Sequence, residues 1–374
     1  MRNVLKTYEL ELTLAGPVFI GSGKEIGKKE YAFFPQVKHV AVLDVGKLSR
    51  LLSQKNLLGI YGKFLMGSSR EDVGRWLEAH KISQNQYMQC ARYHLSCQDA
   101  VLDSHSKLSI LEFVKDAYGM PYVPGSSVKG MLRTILLANR IGNMPQDYRE
   151  VKENVADTLQ SYRLPKPRRT ICKRESAMME GTCFRTLERP RSKPLDAVND
   201  TLAGLIVGDS KPLSTEDLVL CQRTELHTDG KEKKLNVLRE ALRPGTVVHI
   251  PLTIDNSICD VTKEELEQAI ASFGEMYYKC FLRKYPGMDL PRKESVWLGG
   301  GAGFVTKTEV YPLFGERQGI DVAVDIFRVT GVPQNHKHRE DRKKGVSPHV
   351  CKVAYYKGKR CQMGLCLARV LEVE

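Results

Sequence analysis

Aromatic residues are scarce in this chain, at 7%, and no strand-like run alternates them as base-stacking RNA modules do. Recognition of bases by stacking on a sheet is therefore not expected. Nowhere do 18 apolar residues run without interruption, which argues against a helical membrane span. The opening Met1-Arg-Asn-Val-Leu-Lys-Thr-Tyr-Glu has no apolar run of signal-peptide length, so a cytoplasmic protein is expected. Ten cysteines include no Cys-x-x-Cys pair, and the closest two are Cys361 and Cys366. Reduced structural thiols fit that scatter better than a disulfide framework. His336, His338, His349, Cys351, Cys361 and Cys366 match no standard zinc spacing, so no metal is expected. The run Gly299-Gly-Gly-Ala-Gly303 lacks the Lys-Ser/Thr of a P-loop and the acidic ribose partner of a dinucleotide site. No cofactor is expected.

What the chain does have is positive charge. Lys and Arg number 57 against 44 acidic residues, a net +13 over 374 residues. That excess suits a polyanion, either nucleic acid or an acidic membrane surface. The basic residues concentrate between 163 and 193, where Lys166, Arg168, Arg169, Lys173, Arg174, Arg185, Arg189, Arg191 and Lys193 face only three glutamates. This stretch reads as an irregular, mobile insertion, either an arm that tracks a phosphate backbone or a solvated linker.

Residues 121–140 carry the most structured signal. Pro124 keeps Val123 extended, Gly125 allows a tight turn, and Ser126 or Ser127 can cap a helix. Val128, Met131, Leu132, Ile135 and Leu136 then fall on one helical face. Lys129, Arg133 and Arg140 share another. Unpaired amides at a helix start followed by two cations suit a phosphate; an ordinary capped amphipathic helix accounts for the same pattern.

Around this helix, residues 7–15 alternate as a half-buried strand, and 37–43 read as a second one followed by a helix that starts at Asp44. A loop at Gly21-Ser-Gly-Lys24, with Lys28 behind it, is a weaker phosphate candidate. Gly67 to His80 holds a helix, and a strand falls within 90–102. Past residue 201, strands are expected at 202–210, 218–225 and 246–254. Thr262 and Glu265 form a capping box ahead of a helix burying Leu266, Ile270, Phe273, Tyr277 and Phe281. The glycine loop at 299–303 precedes a strand at 304–311 and a helix near 320–328. Residues 334–348 read as a flexible polar loop, and two strands flank Gly358. Antiparallel strands interleaved with helices indicate an α+β fold. The expected units are residues 1–200, with the basic insertion, and residues 201–374.

Pro124-Gly-Ser-Ser-Val-Lys-Gly130 with Arg133 resembles the signature of the RAMP superfamily, the repeat-associated RNA-binding proteins of CRISPR systems. Together with Leu298-Gly-Gly-Gly-Ala-Gly-Phe304, the chain is similar over its length to the fifth, filament-capping subunit of the type III-A (Csm) effector complex. The resemblance implies two ferredoxin-like (RRM-like) domains and a non-catalytic subunit bound to CRISPR RNA (crRNA). It implies docking on the neighbouring backbone RAMP subunit, capping near the crRNA 3′ side, and a part in 3′-end maturation with trimming by host nucleases. The RNA-contacting residues would be Gly125, Ser126, Ser127, Lys129 and Arg133, then Gly299, Gly300, Gly301, Gly303 and Lys307. Lys24, Lys28, Arg168 and Arg169 are secondary candidates.

Two other readings stay open. RAMP endoribonucleases often use a histidine, and Tyr31, Lys38 and His39 offer a metal-independent version of that chemistry. Asp44, Asp99 and Asp103 are candidates for a metal-dependent one, though capping and turn formation explain them equally. A purely structural adaptor is the third reading.

Overall fold

A computed structural model describes residues 4–68, 71–97, 99–100, 108–163, 165–167 and 170–373. The chain opens with strands β1 (Leu5–Leu14), β2 (Gly21–Ile26), β3 (Tyr31–Phe34) and β4 (His39–Leu43). Four helices follow, α1 (Val45–Gln54), α2 (Leu58–Met66), α3 (Val73–Ala79) and α4 (Gln84–Met88). Strands β5 (Ala91–Ser96) and β6 (Ile110–Phe113) lead to α5 (Gly125–Asn143), α6 (Arg149–Ser161) and α7 (Lys173–Phe184). Then come β7 (Leu205–Val207), β8 (Leu218–His227), β9 (Glu232–Leu242), β10 (Val247–Asp255) and α8 (Lys263–Cys280). The last elements are β11 (Ser295–Trp297), α9 (Val310–Val329), α10 (Asp341–Lys344), β12 (Val350–Tyr356), β13 (Lys359–Gln362) and β14 (Leu365–Glu372).

One sheet has the order β11-β14-β1-β10-β7, antiparallel throughout. Its chain order β1-α5-β7-β10-α8-β14 is a ferredoxin-like unit, with two crossover helices packed side by side. Tyr8, Leu10, Leu12 and Leu14 of β1 share a core with Val128, Leu132 and Ile135 of α5 and Leu266, Ile270 and Phe273 of α8. The strand alternation and both helical periodicities read from sequence serve this one core. The expected boundary at 200/201 falls between α5 and β7, and a cut there would separate β1 from both of its partners, β10 and β14.

The second sheet runs β2-β6-β9-β8-β5-β4-β3, with β12 paired to β8 and β13 to β12. It too draws strands from both halves of the chain. Helices α1 to α4, inserted between β4 and β5, close a smaller core around Leu48, Phe64, Trp76, Leu77 and Tyr87. A buried charge network sits inside this sheet, where Glu240 accepts from Tyr93, from Lys115 and from the Phe113 amide. All ten cysteines are free thiols.

Three local expectations are corrected. Residues 163–193 contain α7, which buries Glu175, Cys183 and Phe184 against its neighbours. Residues 304–311 are a 3₁₀ turn at Val305–Lys307 and the start of α9. The 334–348 segment folds around a buried Asp341 and includes α10. No helix among the described residues is long and apolar enough to cross a membrane.

Candidate nucleic-acid interface

Helix α5 starts at Gly125, so Ser126 and Ser127 lie in its first turn and do not cap it. The cap is distant in sequence: the Gly125 amide donates to Asp209 Oδ1 at 2.7 Å. Gly125 is required sterically, because a Cβ there would lie 2.3 Å from the Val207 carbonyl oxygen and 2.4 Å from that of Gly208. The signature glycine thus lets α5 close onto the end of β7.

The cations of this helix are engaged within the protein. Lys129 Nζ donates to the Leu202 carbonyl at 2.7 Å. Arg133 pairs with Glu180 and with Asp200, the latter at 2.8 Å, and lies over the Phe184 ring. Arg140 pairs with Glu265 and Asp260 and also lies near the Phe184 ring. These carboxylates come from α7, α8 and the loops beside them, which sequence spacing along α5 could not reveal. The face read as basic is a seam between helices. Ser126, which is exposed, remains at the start of the helix.

The glycine loop is also built for close approach. Gly299, Gly301 and Gly303 have φ of +80°, +100° and +113°, where other residues are strained. Gly300 N donates to the Phe19 carbonyl at 2.6 Å, and a Cβ on Gly301 would lie 2.7 Å from Arg239 Nη1. Gly303 faces open space. The loop therefore lies directly over the second sheet.

Beneath it stands a group of cations of which sequence reading names only Lys307. Cys221 of β8 pairs with Arg239 of β9, and Glu225 of β8 pairs with Lys352 of β12. This register sets Arg223, Arg239 and Lys352 on the same sheet face, and Lys307 enters from the 3₁₀ turn after the loop. Glu225 is the one carboxylate paired with the group among the described residues, bonding Arg223 at 2.6 Å. Arg239 has the Phe19 ring and the Met363 sulfur as neighbours, and the Nε atoms of Arg223 and Arg239 are buried without hydrogen-bond partners among the described residues. Burial and the three neighbouring cations depress the Lys352 ammonium to about 8. Lys307 is lowered by desolvation and Arg239, and Arg239 by desolvation and Arg223. Crowded, partly dehydrated like charges are costly, and an anion placed among them relieves each one.

This group borders a cavity of about 800 Å³ that is partly open to solvent. Arg223, Lys307 and Lys352 are among the residues that line it, as are Phe304, Phe327 and His338. His338 and His349 both present Nδ1 to buried Asp341, at 3.0 and 2.5 Å, and Ser347 Oγ donates to the same carboxylate at 2.8 Å. His338, Asp341 and His349 offer ligand atoms within 4.8 Å of one another, enough to hold a metal. The short Nδ1–carboxylate contacts fit hydrogen bonds that fix the rings equally well.

Other expected positions scatter. Lys24 lies on edge strand β2, not in a loop, between the Ser22–Glu112 and Ser109–Glu25 hydrogen bonds. The Lys28 carbonyl accepts from Val73 at the start of α3. Arg168, Arg169 and Asp103 lie outside the described residues. Tyr31 is buried, with its hydroxyl on the Leu108 carbonyl at 2.9 Å and its pKa pushed up to about 12. His39 stands at the opposite end of the β3–β4 pair, across from Phe34, with Nδ1 at the Val37 carbonyl. The two are not brought together for acid–base work. Asp44 caps α1 through the Lys47 amide, and Asp99 accepts from the Gly358 amide.

The sequence model of the RAMP superfamily matches residues 11–348. A relative from Mycobacterium tuberculosis, described as the CRISPR system Cms protein Csm5, is 30% identical over 336 residues, covering 83% of this chain and 85% of its own. The Csm5 protein of Streptococcus thermophilus is 25% identical over 333 residues, covering 86% and 84%. A subunit in the cryo-EM structure of a Csm–crRNA–target RNA ternary complex from a type III-A system superposes with a TM-score of 0.60 at 18% identity, over 97% of this chain and all of that one. The crystal structure of T. onnurineus Csm5 gives a TM-score of 0.60 at 19% identity, over 96% and 99%. These structures bear on the fold, and the M. tuberculosis relative and the superfamily match bear on the lineage. The chain belongs to the RAMP superfamily and, within it, to the Csm5 family, the fifth subunit of the type III-A Csm effector complexes of CRISPR systems.

Proposed function

We propose that this chain is a non-catalytic crRNA-binding subunit that grips the sugar–phosphate backbone across the second sheet, beneath the glycine loop. The observation that carries this reading is the group Arg223, Arg239, Lys307 and Lys352, four cations sharing the single carboxylate Glu225 among the described residues. A phosphodiester placed there satisfies orphaned guanidinium N–H groups and lifts the mutual repulsion. Gly303, with open space around its Cβ position, adds partly exposed backbone beside this group, and exposed Ser126, together with Lys24 and Lys28, would be outlying contacts. Lys129 and Arg133 contribute by fixing the helices that shape it. Such binding reads backbone, not sequence.

Within a type III-A complex the subunit would cap the backbone filament near the crRNA 3′ side, dock on the adjacent RAMP subunit and support 3′-end maturation. Trimming would fall to recruited host nucleases. The test is fluorescence anisotropy of labelled crRNA against salt concentration. Changing Arg223 and Lys352 to Gln should weaken binding for every sequence and lower the slope of log K on log salt by about two. An unchanged slope in a folded double variant would remove this surface from the interface.

A further inference from the structure

The cavity beside the cations has features that binding a continuous backbone leaves unused. Its volume of about 800 Å³ exceeds what a phosphate needs and falls in the range of small-molecule sites. Its lining includes an aromatic group: the Phe304 and Phe327 ring centroids are 5.0 Å apart, and the tilted His338 ring lies 4.2 Å from Phe327. His338 is fixed in that position by Asp341, a fully buried carboxylate. Two residues that line the cavity each hold a buried polar atom with no partner among the described residues, Arg223 Nε and Glu309 Oε2. Burial and nearby Glu180 push the Glu309 carboxyl up from the usual glutamate range, which favours the protonated form that can donate as well as accept. Such a group inside an apolar wall has the character of a base-edge contact, since nucleobases offer both donors and acceptors.

We infer that the cavity receives one unstacked nucleotide of the bound RNA, with its phosphate on Arg223, Lys307 and Lys352 and its base against Phe304, Phe327 and His338. The alternative ligand for neutral apolar walls alone, a hydrophobic side chain, would leave the cations and the Glu309 oxygen unmet. A free anion would leave the aromatic wall unused. A nucleotide meets both demands. This inference rests on the RNA-binding reading and adds one discrete, base-occupied position to an otherwise sequence-blind track.

Two measurements on the full-length protein test it. A series of crRNAs, each with one abasic site, is titrated by anisotropy at fixed salt. One position should lose affinity by about tenfold while its neighbours change little, the scale expected for one base stacked on aromatic side chains. The variant with Phe304→Leu and Phe327→Leu should bind intact RNA more weakly by a similar factor, with an unchanged salt slope. It should also be indifferent to the abasic site at that position. Because that variant could fold poorly, wild-type protein is crosslinked in parallel to RNAs carrying a single 4-thiouridine. Crosslinks from one position to peptides bearing Phe304 or Phe327 are expected. Salt-sensitive RNA binding with a flat abasic profile and no such crosslink would overturn the inference while leaving the RNA-binding reading intact. Absence of RNA binding would overturn both. Adenosine 5′-monophosphate separates the two sources of the ligand: if it fills the cavity, judged by protection of the same residues, while every abasic RNA binds normally, the site serves free nucleotide and the inference fails.

Discussion

Lys352 turns the cation group into something that can be titrated. Its ammonium lies near 8 because it is desolvated and faces Arg223, Arg239 and Lys307. A phosphate at that position stabilises the charged form and raises the pKa toward the ordinary lysine value of 10.5. RNA binding then takes up a proton whenever the free protein is partly deprotonated, and affinity must fall as pH rises through 8. If binding restores the full shift, the dissociation constant rises about tenfold between pH 7 and 9, most of it above pH 8; partial restoration gives less. The assay is anisotropy at constant ionic strength with an oligoadenylate, whose bases do not titrate in that window. Lys352→Arg keeps the charge and abolishes the titration, so its affinity should stay level across the range. A flat wild-type profile would mean that Lys352 does not meet a phosphate. An equal slope in Lys352→Arg would assign the proton to another group.

Other perturbations probe the frame that holds this surface. Arg133→Ala removes a guanidinium shared by Glu180, Asp200 and the Phe184 ring, and should cost about 2–4 kcal/mol by urea denaturation while leaving the salt slope of RNA binding in place. A loss of slope without a loss of stability would restore it to the interface. Glu240→Ala leaves Lys115 inside the second sheet without its main partner and should destabilise by about 3–5 kcal/mol; a thermal shift near zero would contradict the buried network. Gly299→Ala places a Cβ 2.3 Å from the Phe19 carbonyl oxygen at a φ of +80°, and should lower thermal stability and RNA affinity together, whereas Gly303→Ala should affect stability less because its surroundings are open.

Where one element's own residues decide its structure, the sequence was readable. The alternation of Tyr8, Leu10, Leu12 and Leu14 predicts β1, and Thr262 caps α8 through the Glu265 amide as its spacing implies. The face of α5 toward the core was legible for the same reason, since periodicity is local. Its other face was not. Whether Arg133 meets solvent or Glu180 depends on how α7 returns to α5, and that segment reads as an irregular arm because charge conceals its short buried face. Residues 304–311 look strand-like because Val305, Val310 and Tyr311 are strong strand formers, yet α9 begins at Val310 and tertiary packing overrides the preference. The cation group was out of reach for a different reason. Arg223, Arg239 and Lys352 become neighbours only through the register of β8 with β9 and β12, across more than a hundred residues of chain.

The chain handles its buried cations in two ways, and the contrast yields a last prediction. Arg133 and Arg140 have two carboxylates each, and Lys115 lies against Glu240, while the group beneath the glycine loop shares Glu225. In a partly dehydrated site, repulsion between cations is stronger than in water, so this group carries a cost that the folded protein alone does not offset. Glu225 offsets part of it, and in doing so occupies Arg223, the same guanidinium a phosphate would take. If the group exists to receive a backbone phosphate, Glu225 is a competitor with the RNA as well as a brace for the fold. Glu225→Gln should then lower thermal stability, because four cations lose their counter-charge, and at the same time tighten crRNA binding several-fold at low salt. The two effects have opposite signs from one substitution, which a purely structural ion pair would not produce. Weaker RNA binding by a well-folded Glu225→Gln protein would show instead that the carboxylate orients Arg223, and would remove competition from the account of how this surface accepts its ligand.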